Sequence, residues 1–277
     1  MQATVYPCLW FNGKIKEATE FYCSLFPNHQ IQASNEIISK FQLEGTTIKL
    51  LNGGALFSMN YSISFFVKCT TQEEIEKLWM ALSKDGKVMM PLGKYPWCDQ
   101  YAWVADQFGM SWQLFLGPLA QGEQKIIPCL LFTNDVFGKG LEAMQYYTRL
   151  FPSSTITSQS MYEEGEGQPI GTLKYGSYTL GNTQFAAMDG PGAHQFAFNE
   201  GISFVVECKD QAEIDYYWNA LTQDGHEGQC GWLKDKFGVS WQIVPGVLNE
   251  LMRDPATAQK AQNAFMKMRK FIIQDLY

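Results

Sequence analysis

Two glutamines, Gln113 and Gln242, end nearly identical segments and are the main candidates in this sequence for contact with a ligand. Each directly follows a tryptophan, Trp112 or Trp241, in an apolar stretch of strand length. A neutral amide that faces the inside of a protein must find hydrogen-bond partners or destabilise the fold. Gln113 and Gln242 are therefore either satisfied by the surrounding backbone or available as polar contacts for a bound small molecule.

Other polar side chains recur before each of these two glutamines and could line the same cavity. Ser64 and Ser203 are equally consistent with small packing residues inside a strand. The candidate ligand contacts predicted from the sequence are Asn60, Ser64, Trp112, Gln113, Asn199, Glu200, Ser203, Trp241 and Gln242.

Histidines and cysteines offer little for metal binding or nucleophilic catalysis. The three histidines, His29, His194 and His226, fall in predicted loops or after a helix. Seven cysteines include no Cys-x-x-Cys pair, and those at 8, 69, 129 and 208 are expected to be small buried hydrophobes. Cys230 is close to Lys234, and a nearby lysine can lower the pKa of a thiol. No histidine is placed to activate it, so we predict neither a bound metal nor a cysteine nucleophile.

Composition excludes several classes of partner. The net charge of -7 and the sequence pI of about 5.1 would repel a phosphate backbone, so nucleic acid is not an expected partner. No apolar run approaches the roughly 20 residues that span a bilayer, and residues 1–7 do not resemble a signal peptide. We expect a cytoplasmic protein with no membrane partner.

The elements that must position these residues occur twice. Residues 63–88 align without a gap on 202–227 with 13 of 26 positions identical, and 102–115 align on 231–244 with 7 of 14 identical. The offset between the copies falls from 139 to 129 residues, which places a ten-residue insertion in the first copy between 89 and 101. We predict one domain at 1–120, a second at 124–250, and a C-terminal amphipathic helix at 251–277.

Each copy has the same order of predicted elements. A short apolar strand at 7–11 is followed by a helix that ends at Phe26-Pro27, because a residue before proline avoids the α-helical region. Alternating residues from 31 to 51 predict three strands, and the pattern of strand, helix and three strands then repeats from Ile63. Each copy is therefore βαβββ-βαβββ.

Both copies end on the same turn motif. Asp106-Gln107-Phe108-Gly109 recurs as Asp235-Lys236-Phe237-Gly238. In each tight turn the aspartate side chain can accept backbone hydrogen bonds, and the glycine can adopt a positive φ. With this order and motif the chain resembles a tandem PhnB-like member of the vicinal oxygen chelate (glyoxalase/bleomycin-resistance) superfamily. Segments 198–203 and 230–238 and the tail after Asp254 carry the closer likeness.

This resemblance implies an α+β fold of two tandem vicinal oxygen chelate domains, each a pair of βαβββ modules forming a cupped mixed sheet. Superfamily members commonly hold a divalent metal on histidine or glutamine of a first strand and glutamate of a last strand. Here the closing glutamate is replaced by Gln113 or Gln242, and the opening strands carry Tyr6-Pro7-Cys8 and Ile127-Pro128-Cys129. We therefore expect no tightly held metal and no other cofactor.

Three functions are compatible with the resemblance. We expect binding of a small apolar or aromatic molecule in the cup of the second domain, lined by Asn199, Glu200, Trp241 and Gln242. A metal-dependent lyase, isomerase or dioxygenase of the glyoxalase type is the first alternative. The second is methyl transfer, since similar proteins are often named 3-demethylubiquinone-9 3-methyltransferase. The glycine-rich turn at 52–54 leads into a strand rather than a helix, which disfavours a methyl-donor site of the usual α/β kind.

The tail predicts a packed helix. Asp254 suits an N-cap and Pro255 the first turn. Five residues then repeat at helical spacing as one apolar stripe: Ala258, Ala261, Phe265, Met268 and Ile272. Such a stripe needs a partner surface, which is either the body of the same chain or a second copy in a homodimer.

Overall fold

The computed structural model describes residues 4–277 and contains four βαβββ modules in chain order. The first module comprises β1 (Thr4–Phe11), α1 (Ile15–Leu25), β2 (His29–Ser34), β3 (Ile38–Leu43) and β4 (Thr46–Asn52). The second comprises β5 (Ile63–Cys69), α2 (Gln72–Ser83), β6 (Lys87–Tyr95), β7 (Cys98–Ala105) and β8 (Ser111–Leu116). These two modules form the first sequence repeat, and residues 1–3 of the predicted first domain lie outside the described residues.

The second repeat supplies the other two modules. The third comprises β9 (Ile126–Phe132), α3 (Gly140–Leu150), β10 (Ile156–Met161), β11 (Leu173–Leu180) and β12 (Thr183–Asp189), with a 3₁₀ turn at Asn134–Val136. The fourth comprises β13 (Ile202–Cys208), α4 (Gln211–Thr222), β14 (His226–Glu227), β15 (Trp232–Lys234) and β16 (Ser240–Pro245). The chain ends with α5 (Val247–Arg253), α6 (Pro255–Phe265) and a 3₁₀ turn at Ile273–Leu276.

The sheets do not follow the two sequence repeats. Sheet A has the strand order β14-β15-β16-β13-β1-β4-β3-β2 and joins the fourth module to the first. Sheet B has the order β10-β11-β12-β9-β5-β8-β7-β6 and joins the third module to the second. The boundaries 1–120 and 124–250 therefore describe the repeat in sequence, whereas each sheet takes one module from each repeat.

Both sheets are mixed for the same reason. The first and last strands of every module pair in parallel, as β1 does with β4 and β5 with β8, and the helix between them supplies the crossover that parallel pairing requires. The modules of one sheet meet through antiparallel pairs, β1 with β13 and β5 with β9.

One face of each sheet packs against the helices in the main hydrophobic core. Trp112 and Trp241 lie in this core and are 0% and 1% exposed. The opposite faces contain separate smaller clusters, around Tyr6 and Cys8 on sheet A and around Tyr101 and Cys129 on sheet B. We call these faces cup A and cup B.

The predicted turn motif is confirmed by its hydrogen bonds. Asp235 accepts from the backbone N–H of Phe237 at 2.9 Å and of Val239 at 3.1 Å, and from Trp241 Nε1 at 2.8 Å. Gly238 has a φ of 83°, which a residue with a side chain rarely adopts. Asp106 makes the corresponding three bonds in the first repeat.

The C-terminal helix is shorter than the apolar stripe predicted. Asp254 caps α6 by accepting from Ala256 N at 2.9 Å, and Pro255 is the first helical residue, as expected. The helix ends at Phe265, so Met268 and Ile272 lie beyond it. The segment then packs on its own chain: the carbonyl oxygens of Met268 and Arg269 accept from the N–H groups of Cys230 and Gly231, both at 2.7 Å. Within residues 4–277, no helix has the length and hydropathy that crossing a bilayer requires.

Candidate functional site

Gln113 forms the polar centre of cup B. It lies on β8 opposite Phe66 of β5 and is 5% exposed. Its Nε2 donates to Ser64 Oγ at 2.8 Å, and its Oε1 accepts from the hydroxyl of Tyr101. A glutamine amide has two N–H groups and two acceptor lone pairs, so these two bonds leave one of each for a bound molecule.

A cavity of about 600 Å³ opens above this floor, within the range of small-molecule sites. Its deeper lining is largely apolar and aromatic, and its rim carries lysines, serines and the linker between the two repeats. The lining residues are Phe66, Lys68, Trp97, Cys98, Tyr101, Gln113, Phe115, Glu123, Gln124, Lys125, Ile127, Ser158, Ser160, Tyr162, Lys174, Tyr175, Ser177 and Met188.

The ten-residue insertion of the first repeat helps to build this cavity. It lengthens the β6–β7 hairpin to nine and eight residues, whereas β14 and β15 in the second repeat have two and three. Trp97 at its tip lines the cavity and is 62% exposed, and Tyr95 stacks on it with ring centroids 5.3 Å apart. The insertion between residues 89 and 101 thus contributes to the wall of this cavity.

The floor presents neutral polar groups. Burial raises the pKa of the Tyr101 hydroxyl and of the Cys129 thiol, and it raises the pKa of Tyr175 to about 12. These three groups are therefore protonated near neutral pH and act as hydrogen-bond donors rather than bases.

The rim of the cavity is rich in cations. Lys68, Lys125 and Lys174 line it and pair with Glu123, Glu74 and Glu166 respectively. Of these carboxylates only Glu123 lines the cavity itself.

Cup A carries lysines at positions where cup B carries small side chains. Opposite the buried Cys8, β4 carries Lys49, and opposite Cys129, β12 carries Ala186. The next strands carry Lys40 in cup A and Ser177 in cup B. Two lysines of cup A thus correspond to an alanine and a serine of cup B.

A charged network spans cup A. The Lys40 ammonium lies 2.8 Å from Glu207 Oε1 and 4.2 Å from the ring centroid of Tyr6. The Tyr6 hydroxyl donates to the same Glu207 oxygen at 2.5 Å. The large cavity therefore lies in cup B and not, as expected, beside Gln242.

The nine predicted contacts are dispersed by the fold. Gln113 lines the cavity and Ser64 lies beneath it, whereas Gln242 donates to Ser203 Oγ at 2.9 Å in cup A. Trp112 and Trp241 point into the core on the other face of their sheets, because neighbours along a strand alternate in direction.

The three remaining predicted contacts, Asn60, Asn199 and Glu200, lie away from the cavity. Asn60 donates to the carbonyl of Ala197 and Asn199 to that of Ser58, which ties two loops together. Glu200 forms an ion pair with Lys234 at 3.0 Å. Sequence reasoning missed Tyr101, Tyr175 and the rim lysines, although alternation on β7 and β11 was a usable signal.

The residues of the two cups do not suit a divalent metal. At the four central positions cup B offers Ser64, Gln113, Cys129 and Ala186, and no carboxylate or imidazole. No cluster of three His, Cys, Asp or Glu side chains that could hold a metal occurs within the described range 4–277. Cys230 is no better placed for chemistry, since burial raises its pKa.

The two mixed sheets of paired βαβββ modules form a glyoxalase-like fold. Glyoxalase I from Zea mays is similar in fold, with a TM-score of 0.58 over 91% of this chain and 97% of that one at 12% identity. The V278E mutant of the same enzyme has a TM-score of 0.56 over 88% of this chain and 93% of that one at 10% identity.

The sequence model of the 3-demethylubiquinone-9 3-methyltransferase family matches residues 3–115 and 124–244, and the chain belongs to this family. A putative 3-demethylubiquinone-9 3-methyltransferase, PhnB protein, from Bacillus cereus is 33% identical. The match covers 40% of this chain and 98% of the Bacillus cereus chain, with a TM-score of 0.39. A search of curated proteins found no match.

Proposed function

We propose that the protein binds a small, largely apolar or aromatic molecule in cup B, without a tightly held metal ion. The observation that carries this proposal is the cavity of about 600 Å³ with a largely apolar lining and the Gln113 amide at its floor. Apolar lining with few placed polar groups is the usual composition of a small-molecule site.

The two alternatives receive less support from the residues present. Metal-dependent chemistry needs carboxylates or imidazoles where cup B has Ser64, Gln113 and Cys129. Methyl transfer, which the family name describes, has no comparable candidate site within residues 4–277. Each module has one parallel strand pair, and Gly53-Gly54 is followed by a loop, not a helix.

Fluorescence titration with the neutral dye N-phenyl-1-naphthylamine tests the proposal. We expect saturable binding at one site per chain and loss of that binding in Ile127→Trp, which fills the cavity from β9. Met80→Trp adds the same side chain on the exposed face of α2 and serves as the control. Equal binding by both variants, or none by the wild type, would contradict the proposal.

A further inference from the structure

The two cups carry opposite charge at one equivalent position. Glu207 of β13 corresponds to Lys68 of β5 in the ungapped alignment of the repeats. In cup A, Glu207 is neutralised across the sheet by Lys40. In cup B the position of Lys40 is taken by Ser177, so Lys68 has no charge-complementary residue on that strand.

Lys68 is joined by a second cation at the same end of cup B. Its backbone N–H donates to the carbonyl of Lys125, the residue before β9, at 2.9 Å, so the two lysines are neighbours where β5 and β9 pair. Each ammonium has three N–H donors, and its described ion pair, with Glu123 or Glu74, uses one of them. Both lysines can therefore bind a further anion without giving up their partner.

The apolar surface begins one row further along the strands. Phe66 lies two residues before Lys68 and Ile127 two residues after Lys125, which is about 7 Å along a strand. Phe66 lies opposite Gln113. The row of cations is thus followed along the cavity by a row that holds Phe66, Ile127 and the Gln113 amide.

We propose that the ligand of cup B is an amphipathic organic anion. Its acid group binds between Lys68 and Lys125, and its aromatic or aliphatic body packs on Phe66 and Ile127 and reaches Gln113. This assignment rests on the proposed function and narrows it, because a neutral molecule would leave the lysines unused and a cation would meet three lysines against the single carboxylate of Glu123.

Two dyes with one skeleton test the charge separately from the cavity. 8-Anilinonaphthalene-1-sulfonate carries an acid group that N-phenyl-1-naphthylamine lacks. The measured quantity is the ratio of the Kd of the neutral dye to the Kd of the anionic dye, for the wild type and three full-length variants. The single variant Glu123→Gln frees Lys68 from its ion pair. The double variant Lys68→Met, Glu123→Gln removes both members of the ion pair and keeps the net charge constant. Glu250→Gln changes an exposed carboxylate of α5 and serves as the control.

We expect a wild-type ratio of about ten or more, a further rise of about fivefold in Glu123→Gln, and a fall toward one in the double variant. Glu250→Gln should match the wild type. A ratio near or below one in both the wild type and Glu123→Gln would overturn the anion assignment and leave the proposed function standing, since the neutral dye still binds. Failure of both dyes to bind would overturn both.

Discussion

Lys49 and Ala186 occupy the same register position in the two cups, each directly opposite a buried cysteine. The small side chain of Ala186 is buried beside Cys129 in the cluster that also holds Phe66 and Tyr101, whereas a lysine stands at that position beside Cys8. This pair of residues is one difference between two cups of equal strand order.

Ala186→Lys should therefore abolish binding of N-phenyl-1-naphthylamine in cup B, and Ala186→Leu should weaken it, because a larger side chain beside Cys129 displaces Phe66 and Tyr101 toward the cavity. Overpacking of this kind costs about 1–3 kcal/mol of stability, so both variants are checked by circular dichroism before titration. Lys49→Ala in cup A is the matched control and should bind the dye like the wild type. Undiminished binding by folded Ala186→Leu would contradict the argument.

Tyr101→Phe should destabilise the protein by about 1–3 kcal/mol, because it leaves the buried Oε1 of Gln113 without its donor. Urea unfolding measures the change. Tyr95→Phe in the same hairpin removes an exposed hydroxyl that donates to the carbonyl of Pro91 at 2.9 Å, and it should cost less than about 0.5 kcal/mol. Equal costs for the two variants would show that the Tyr101 bond adds nothing particular.

Asp235 should make stability depend on pH. Burial raises its pKa to about 6, although hydrogen bonds from Tyr147, Trp241 and the backbone lower it. This value lies above the pKa of roughly 4 of an unfolded aspartate. The protonated Asp235 side chain therefore adds to the free energy of unfolding. This stabilisation is fully present below about pH 4 and is lost as pH rises through 6, by roughly 3 kcal/mol in total.

The check is the free energy of unfolding of the wild type and Asp235→Asn at pH 4, 5 and 7. The substituted asparagine does not titrate, so the wild-type advantage should shrink as pH rises while other carboxylates cancel in the difference. An advantage that stays constant or grows with pH would be inconsistent with the raised pKa.

The C-terminal segment should be needed for stability. Phe271 is fully buried and packs near Gly231 and Phe265. The ring centroids of Phe271 and Phe265 are 5.9 Å apart. Phe271→Ala should cost about 3–5 kcal/mol and lower the Tm. Tyr277→Ala, at a 61% exposed side chain, is the control and should leave the Tm unchanged. A similar Tm for both variants would show that the tail is dispensable.

Purified protein should retain no stoichiometric zinc, nickel, manganese or iron after dialysis, as measured by elemental analysis. Gln242→Glu alone should not restore binding, because cup A places the Lys49 ammonium opposite Cys8 and so disfavours a divalent cation. About one metal ion per cup in either protein would contradict this prediction.

Local signals in the sequence determined the modules. Alternating residues, the Phe26-Pro27 stop and the Asp106 and Asp235 turns depend on neighbours close in the chain, and the structure confirms the order of elements. The repeat itself predicted the tandem architecture. Burial of the cysteines at 8, 69, 129 and 208 also followed from their positions in apolar strands.

Only the tertiary structure decided which modules share a sheet and which cup is open. The antiparallel pairs β1–β13 and β5–β9 join residues distant in the chain, and apolar strands of either repeat could satisfy the same backbone hydrogen bonds. The cavity is then bordered from both repeats, by Phe66 and Gln113 of the first and by Tyr175 and Met188 of the second. Comparison of one repeat with the other could not reveal that space, because the volume of a cavity is set by side chains that the chain brings together only on folding.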